Sequence, residues 1–419
     1  MNKSEQSYIR LVLPLLVSAA TAFAASERAD LSRLVVVGDS LSAGVQNFSL
    51  LDVQQIKGYA TLIAEQAGVP MTLPLVPYPG APNVLELESF GPPPVIQAAP
   101  GTLPRIPRVN PLSRPTNLSV PGITVEQALT LTPNANADPT DPVAGWANIV
   151  LGFPTPFLFP GPAQTQVQQA VALKPTTVIV WLGNNDVLVP ALFGGSPTPT
   201  DTFATAYHNV MLALSQTKAR FIVANIPDVT GLPYLTPAAT LAEEVGLPLS
   251  QVTSRLGIGA GDYLRPSGVT IAEQILRGAP GPLSNYTCTA EPFSPAPVAC
   301  VLTAAEVTSF QETIKAYNST IASNAASFGA TLVDIYSLVE NIYQNGYKAG
   351  GYCLTAGFLG GLFSLDGVHP TNTGYAIVAN TFIHQMNTTM ATRIPPVFVG
   401  EVVNRDPLVF SSLRCGAGQ

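Results

Sequence analysis

The sequence predicts an α/β protein built around a doubly wound parallel sheet that carries long loop insertions. Short runs rich in β-branched residues recur along the chain, and stretches with helical spacing separate them. The runs lie at 34–37, 177–182, 220–224 and 331–335, and they are almost continuously apolar. Strands of a parallel sheet have this composition because helices cover both of its faces.

Three stretches place apolar residues at helical spacing, namely 201–216, 303–327 and 373–389. The first two separate consecutive predicted strands, and the third follows the last one. Parallel neighbours need a crossover connection, which a helix normally supplies. We therefore expect one domain, residues 25–419, with helices packed against the sheet.

Three segments, 69–115, 130–164 and 231–300, are rich in Pro, Gly and Thr, and the first is the most distinctive. It holds many of the 40 prolines of the chain. Proline fixes φ and removes a backbone donor, which excludes a helix or an interior strand there. We expect an extended surface insertion. Loops of this length are more often functional or disordered than filler.

The composition excludes several classes of partner. The chain has 419 residues, of which 47% are hydrophobic and 11% charged, with a formal net charge of −7. Its 19 Lys and Arg residues are scattered, whereas a nucleic-acid surface needs them clustered. Contact with a membrane would have to be apolar, because an acidic surface does not attract anionic headgroups.

The N-terminus has the pattern of a signal peptide, residues 1–24. Lys3 and Arg10 precede an apolar stretch, 11–25, that ends in Ala22-Phe23-Ala24. A retained membrane anchor is the alternative, although the stretch is shorter than the ~20 residues that cross a bilayer. We expect cleavage near Ala24 and a secreted or periplasmic protein.

The four cysteines predict two disulfides, because an even number follows a probable export signal. Three pairings are possible. We favour Cys288 with Cys300, which bracket a Pro-rich loop, and Cys353 with Cys415, which would fix the C-terminal tail. Four free buried thiols are the alternative. None lies in a CxxC or His-rich setting, so no metal site is expected.

Gly38-Asp39-Ser40-Leu41 follows the first predicted strand and places Ser40 on a turn from strand to helix. Ligands of open α/β sheets bind at this carboxyl edge. Such a turn exposes the hydroxyl and directs backbone N–H groups at charge that develops beside it. Ordinary turn and helix-cap chemistry is the alternative interpretation.

A reactive serine needs a base, and the chain has three histidines. His208 and His384 lie in predicted helices, where surface or packing roles are more common. His369 shares a loop with Asp366, because Pro370 disfavours helix at the residue before it. The carboxylate can then hold the imidazole through Nδ1 and leave Nε2 free. An Asx-turn beside an incidental histidine is the alternative.

Two further turns offer donors for a developing oxyanion. Asn185 lies in a polar turn after the strand at 177–182, and an Asn amide can donate where a buried charge would be costly. Gly122 follows Asn117-Leu118-Ser119, and without a side chain it can bring its N–H close to a substrate. Each is an ordinary turn in isolation. We interpret Asp39 and Asp186 as turn-bracing carboxylates.

Together these four blocks, in this order, resemble the GDSL/SGNH hydrolase family of lipase-like serine esterases. The resemblance implies Ser40 as nucleophile, His369 as base and then acid, and Asp366 as the group that orients it. It implies an oxyanion hole from the N–H groups of Ser40 and Gly122 with the Asn185 amide. It also implies a three-layer α/β/α sandwich with a flavodoxin-like sheet and no cofactor. Residues 224–233 are similar to a segment of the lipase-like members.

These patterns predict an exported hydrolase of carboxylic esters that acts through an acyl-enzyme. A carbohydrate acetylesterase, a thioesterase and a non-catalytic binding module are the alternatives. The expected partner is a small-molecule or lipid ester. Apolar side chains of the second insertion could line an acyl groove or merely pack it onto the body: Trp146, Phe153, Phe157, Leu158 and Phe159. The chain lacks the Gly-x-Ser-x-Gly of ordinary α/β-hydrolases and the glycine-rich nucleotide-binding motifs.

Overall fold

The computed structural model describes residues 28–91, 94–292 and 294–416. The predicted signal peptide, residues 1–24, lies outside these ranges. Among the described helices, none has both the length and the apolar character that a membrane span requires.

The elements are numbered in chain order within the described residues. The strands are β1 (Leu34–Gly38), β2 (Leu85–Ser89), β3 (Val95–Ala98), β4 (Thr177–Trp181), β5 (Arg220–Ala224), β6 (Thr236–Pro237), β7 (Tyr263–Leu264), β8 (Cys288–Ala290), β9 (Ser294–Val298), β10 (Val301–Leu302), β11 (Thr331–Val333), β12 (Tyr347–Ala349) and β13 (Tyr352–Leu354). The helices are α1 (Ser40–Ala43), α2 (Asp52–Gln55), α3 (Tyr59–Ala67), α4 (Val125–Thr130), α5 (Pro142–Leu151), α6 (Gln166–Ala172), α7 (Asn185–Phe193), α8 (Thr200–Ser215), α9 (Ala238–Glu244), α10 (Leu249–Leu256), α11 (Pro266–Leu276), α12 (Ala304–Ser327), α13 (Ile335–Asn345), α14 (Asn372–Thr389) and α15 (Val399–Arg405).

The central sheet contains the four predicted strands in the order β1-β4-β5-β11, and every neighbouring pair is parallel. Their positions agree with the prediction to within two residues. The predicted helices correspond to α8, α12 and α14. The continuous apolar runs therefore identified the buried strands correctly.

The sheet is doubly wound, because an extended segment at 116–120 flanks β1 on the side away from β4. The N–H of Val36 donates to the Thr116 carbonyl at 2.9 Å, and the N–H of Leu118 donates back to the Val36 carbonyl at 3.0 Å. The N–H of Val120 donates to the Gly38 carbonyl at 3.0 Å. The strand order therefore reverses at β1, and ligands bind at such a switch point in open α/β sheets.

Alternate residues of each central strand enter two separate apolar cores, one on each face of the sheet. Val35 and Val37 pack in the core that α4 to α8 and α12 cover. Leu34 and Val36 pack in the core that α3, α13, α14 and α15 cover. Because successive strand side chains point to opposite faces, these two cores confirm the expected three-layer α/β/α sandwich.

The insertions differ in how much helix and strand they contain. The described part of 69–115 forms the antiparallel pair β2–β3 and otherwise extended chain, as its prolines predict. Segment 231–300 contains α9, α10 and α11, which share a small apolar core with Cys288 and Cys300. It is therefore more helical than its composition indicated. Pro237, Pro248 and Pro266 lie at the starts of these helices, where a missing N–H costs no intrahelical hydrogen bond.

Both favoured disulfides are present. The Cys288–Cys300 bond joins residues separated by 12 positions inside the third insertion. The Cys353–Cys415 bond spans 62 positions and ties the C-terminal segment to β13. This second bond closes the longer loop, so it removes more conformational freedom from the unfolded chain.

Gln166 connects β1 to the flanking segment 116–120, which leads to Gly122. It is the first residue of α6 and is fully buried. Its Nε2 donates to the Gly38 carbonyl at 2.7 Å and to the Leu118 carbonyl at 2.9 Å. One side chain therefore satisfies two carbonyls at the carboxyl end of β1.

We predict that Gln166→Leu lowers the free energy of unfolding by about 1 to 3 kcal/mol, because the Leu118 carbonyl loses the Nε2 donor and the Gly38 carbonyl keeps only the N–H of Val120. Urea unfolding of both proteins measures the difference. The matched control is Gln251→Leu, at an exposed position of α10, with an expected change below about 0.5 kcal/mol. Equal effects of the two substitutions would contradict the role of Gln166.

Candidate active site

Ser40 lies at the point where β1 turns into α1. Asp39 caps this helix, and its Oδ1 accepts a hydrogen bond from the N–H of Leu41 at 3.1 Å. A Cβ on Gly38 would lie 2.4 Å from Ser42 Oγ, so the turn has room only for glycine. Since Ser40 is the first helical residue, its N–H is among those that a helix leaves without an internal partner.

His369 and Asp366 are paired in the loop that precedes α14. His369 Nδ1 lies 2.9 Å from Asp366 Oδ2. The N–H groups of Val368 and His369 both donate to Asp366 Oδ1 at 2.8 Å. Both paired side chains are buried. With Nδ1 held by the carboxylate, Nε2 is the ring nitrogen that can accept a proton.

The Asp366 carboxylate stays ionised despite its burial. Burial alone would raise its pKa, but the nearby His369 and the N–H groups of His369 and Val368 outweigh that effect and lower the pKa below its ordinary value. A carboxylate in this state can orient an imidazole and stabilise its protonated form.

A further donor to Asp366 comes from the turn after α1. The N–H of Phe48 donates to Asp366 Oδ2 at 2.6 Å, and Asn47 Oδ1 accepts from the N–H of Leu365 at 3.0 Å. Asn47 and Phe48 have φ of 49° and 60°, a left-handed conformation that non-glycine residues rarely adopt. The sequence did not predict this turn, because almost every residue type has a backbone N–H and none marks this one as a donor to Asp366.

Gly122 and Asn185 both border the cleft beside Ser40. Gly122 has φ of 75°, and a Cβ there would lie 3.0 Å from a methyl carbon of Val143. Asn185 begins α7, and its Nδ2 donates to the Ile123 carbonyl at 3.1 Å. That bond uses one hydrogen of the amide and leaves the second for another acceptor.

Asp39 and Asp186 hold the surrounding turns together. Asn184 Nδ2 donates to Asp39 Oδ2 at 2.8 Å, which joins the turn after β4 to the turn after β1. Burial raises the pKa of Asp39 to about 6, although hydrogen bonds from Asn184 and Leu41 oppose the shift. Asp186 Oδ2 accepts from the N–H of Val125 at 3.0 Å and so fixes the start of α4.

Ser40, Gly122, Asn185 and His369 line one cavity of about 680 Å³, which we call the main cavity. Asp366 lies behind His369. The four lining residues come from four separate segments that meet at the carboxyl edge of the sheet. The structure therefore brings the predicted site residues together.

The insertions build the walls of the main cavity. One wall comes from 80–83 and 101–103 in the first insertion, and another from α5 in the second. Trp146 Nε1 donates to the Ala81 carbonyl at 3.1 Å and joins these walls. The lining residues, among those described, include no Lys, Arg, Asp or Glu. The cavity thus suits an uncharged, largely apolar molecule.

Of the five side chains of the second insertion considered for an acyl groove, one lines the main cavity. Trp146 lines the main cavity, whereas Phe153, Phe157, Leu158 and Phe159 are not among its lining residues. Phe153 is buried with its ring against Phe157, and its carbonyl accepts from Arg108 Nη1 at 3.2 Å. These contacts pack the second insertion onto the first.

The other two histidines lie elsewhere. His208 is exposed on α8, with Nδ1 3.1 Å from Asn324 Oδ1. His384 is exposed on α14. Neither lines the main cavity.

Comparison with family models agrees with the sequence motifs. A family model described as GDSL-like lipase/acylhydrolase matches residues 34–382. Similar solved structures include an α/β hydrolase enzyme from the metagenome of Lake Arreo, Spain, with 13% identity, TM-score 0.37 and coverage of 87% of this chain and 98% of that one. The lipase/acylhydrolase from Enterococcus faecalis has 12% identity, TM-score 0.35 and coverage of 87% and 100%. An acetyl xylan esterase has 12% identity, TM-score 0.32 and coverage of 84% and 98%. A search among curated sequences finds no significant match.

We predict that Asp39→Asn changes how stability depends on pH. The pKa of Asp39 is raised from 3.8 to about 6, so its ionisation disfavours the folded protein and stability is lost as pH rises through about 6. The variant lacks this loss. Its free energy of unfolding relative to the parent should rise by on the order of 3 kcal/mol between about pH 4 and pH 7. Urea unfolding across that range measures the difference, and a difference independent of pH would contradict the prediction.

Proposed function

This chain belongs to the family of GDSL-like lipases and acylhydrolases, and from that membership we propose that it is an exported serine hydrolase of carboxylic esters. Ser40 is the nucleophile, His369 the general base and then the general acid, and Asp366 the carboxylate that orients His369. One observation carries the proposal: Ser40, Gly122, Asn185 and His369 line the same cavity.

In the first step, Ser40 Oγ attacks the ester carbonyl carbon while His369 Nε2 takes the hydroxyl proton. Asp366 keeps its charge and stabilises the imidazolium. The carbonyl oxygen becomes an oxyanion. Collapse of the tetrahedral intermediate breaks the bond to the alcohol oxygen, which receives the proton from His369, and the acyl group stays on Ser40.

In the second step, water attacks the acyl carbon while His369 takes one of its protons. A second oxyanion forms and collapses, Ser40 Oγ leaves with the proton from His369, and the free acid departs. Charge on the oxygen is stabilised in both steps by the N–H groups of Ser40 and Gly122 and by the second amide hydrogen of Asn185. Donors placed in advance are effective because they need no reorganisation as the charge develops.

The walls of the main cavity favour an apolar ester as substrate. Uncharged and mostly apolar side chains such as Phe48, Trp146 and Leu192 surround the space beside Ser40. An acylated sugar presents many hydroxyls that would lose hydrogen bonds to water without finding partners here. A thioester of an anionic carrier would meet no cationic lining residue among those described.

A carbohydrate acetylesterase, a thioesterase and a non-catalytic binding module remain the alternatives. The apolar cavity disfavours the first two, since their substrates are polar or charged away from the acyl group. The buried Asp366–His369 pair disfavours the third, because a site without chemistry has no need to keep a charged carboxylate desolvated.

Export is the remaining part of the proposal. The pattern of residues 1–24 predicts a cleaved signal peptide, and the two disulfides within the described residues fit an oxidising compartment. N-terminal sequencing of the protein recovered from the culture medium or periplasm of its source would test it, with a start near residue 25 expected.

We predict that Ser40→Ala lowers kcat by about 10⁴-fold or more toward p-nitrophenyl esters, because the nucleophile of the acyl transfer is lost. The assay covers acyl chains from acetyl to palmitoyl, with circular dichroism as a check on folding. The matched control is Ser42→Ala, since Ser42 Oγ lies 2.8 Å from the Tyr59 hydroxyl and is bound there. This control should keep most of the activity.

Equal rates for the parent and Ser40→Ala would refute Ser40 as nucleophile. A strong preference for acetylated sugars over simple apolar esters would favour the acetylesterase alternative. Failure of the folded parent to hydrolyse any ester would favour the binding module.

A further inference from the structure

Ser40 lines a second, smaller cavity as well. This cavity has a volume of about 80 Å³ and is bounded by α13, α14 and the loop at 227–232; we call it the α13 slot. The slot and the main cavity share Ser40 and Leu188 and otherwise have different walls. Helices α13 and α14 cover one face of the sheet, whereas α5 and α7 cover the other. Ser40 therefore stands between two compartments.

The catalytic groups occupy only one of these compartments. Gly122, Asn185 and His369 line the main cavity and do not line the slot. The tetrahedral intermediate carries Ser40 Oγ, the oxyanion, the alcohol oxygen and the acyl chain on one carbon. The oxyanion needs the donors, and the alcohol oxygen needs the proton of His369. Both must therefore point into the main cavity.

The lining of the slot also disfavours the oxyanion there and favours the hydrocarbon part of the ester. Apart from Ser40 and Asn184, its lining consists of apolar side chains and Gly374. Asn184 directs its Nδ2 to Asp39, and its Oδ1 is buried without a partner among the described residues. An acceptor oxygen would repel an oxyanion. A hydrocarbon chain is the part of an ester that this surface suits.

We propose that the acyl group of the substrate occupies the α13 slot and that the alcohol portion occupies the main cavity. The assignment rests on the proposed esterase function and adds the direction in which the ester binds. A slot of about 80 Å³ has room for roughly two to three water-sized groups. The enzyme therefore selects a short acyl group joined to a large apolar alcohol.

Leu338 on α13 and Ile149 on α5 provide a matched pair for the test. Both are half-buried aliphatic residues on helices, and each lines only one of the two cavities. Leu338→Ala enlarges the slot and Leu338→Trp fills it. Ile149→Ala and Ile149→Trp do the same to the main cavity. Thermal unfolding confirms that each variant is folded.

The measurement is kcat/KM on two ester series. One keeps p-nitrophenol and lengthens the acyl chain from acetyl to dodecanoyl. The other keeps acetate and enlarges the alcohol from ethyl to naphthyl, with the released acid followed by titration. In the parent we expect a loss of about tenfold or more for each methylene that exceeds the slot.

Leu338→Ala should extend the accepted acyl chain and raise kcat/KM for the first excluded ester by about tenfold. Leu338→Trp should reduce butyrate hydrolysis more than acetate hydrolysis. Neither variant should change the order of preference among alcohols. The two Ile149 variants should alter the alcohol series and leave the acyl series in its parental order.

The reverse pattern, with Leu338 controlling the alcohol and Ile149 the acyl chain, would overturn the assignment. Ser40-dependent hydrolysis with no response of either series to Leu338 would show that the slot is unused. Absence of Ser40-dependent hydrolysis of every ester would overturn the proposed function, and the slot assignment would fall with it.

Discussion

The site depends on the buried carboxylate of Asp366. A desolvated charge is tolerated only when hydrogen bonds replace the water that it loses. Asp366 has donors from His369 Nδ1, from the N–H groups of Val368 and His369, and from the N–H of Phe48, 318 positions away in the sequence. The last bond joins the turn after α1 to the loop before α14. The same turn follows the helix that Ser40 begins, so this bond fixes the loop of His369 relative to the turn of Ser40.

The sheet fixes the positions of Gly122 and Asn185 relative to the Ser40 turn. The order reverses at β1, so the flanking segment with Gly122 and the β4 turn with Asn185 lie on opposite sides of the Ser40 turn. Asn184, Asp39 and Gln166 then bond these turns to one another. None of the residues proposed as catalytic lies in the insertions, whose described residues line the space above the sheet edge. Rigid core elements thus position the chemistry, and the insertions shape the volume that a substrate can occupy.

The sequence was most informative where a pattern of residues is compatible with only one kind of local structure. Continuous apolar runs located the central strands, and the polar turns after two of them located Ser40 and Asn185. The helices of the third insertion were missed because prolines at their starts resemble breakers. The Phe48 N–H and the α13 slot could not be predicted, since a backbone donor has no residue signature and a cavity depends on how distant helices pack. The same limit applies to the five side chains considered for an acyl groove, of which only Trp146 lines the main cavity.

Activation of Ser40 by the His369–Asp366 pair is the step on which the proposed mechanism depends. Covalent labelling tests it most directly: the mature protein is treated with a p-nitrophenyl alkylphosphonate, and the modified residue is located by peptide mass spectrometry. We predict one phosphonate per chain, attached to Ser40, and little labelling in His369→Ala. Labelling of another residue, or an unlabelled protein that still hydrolyses esters, would contradict it.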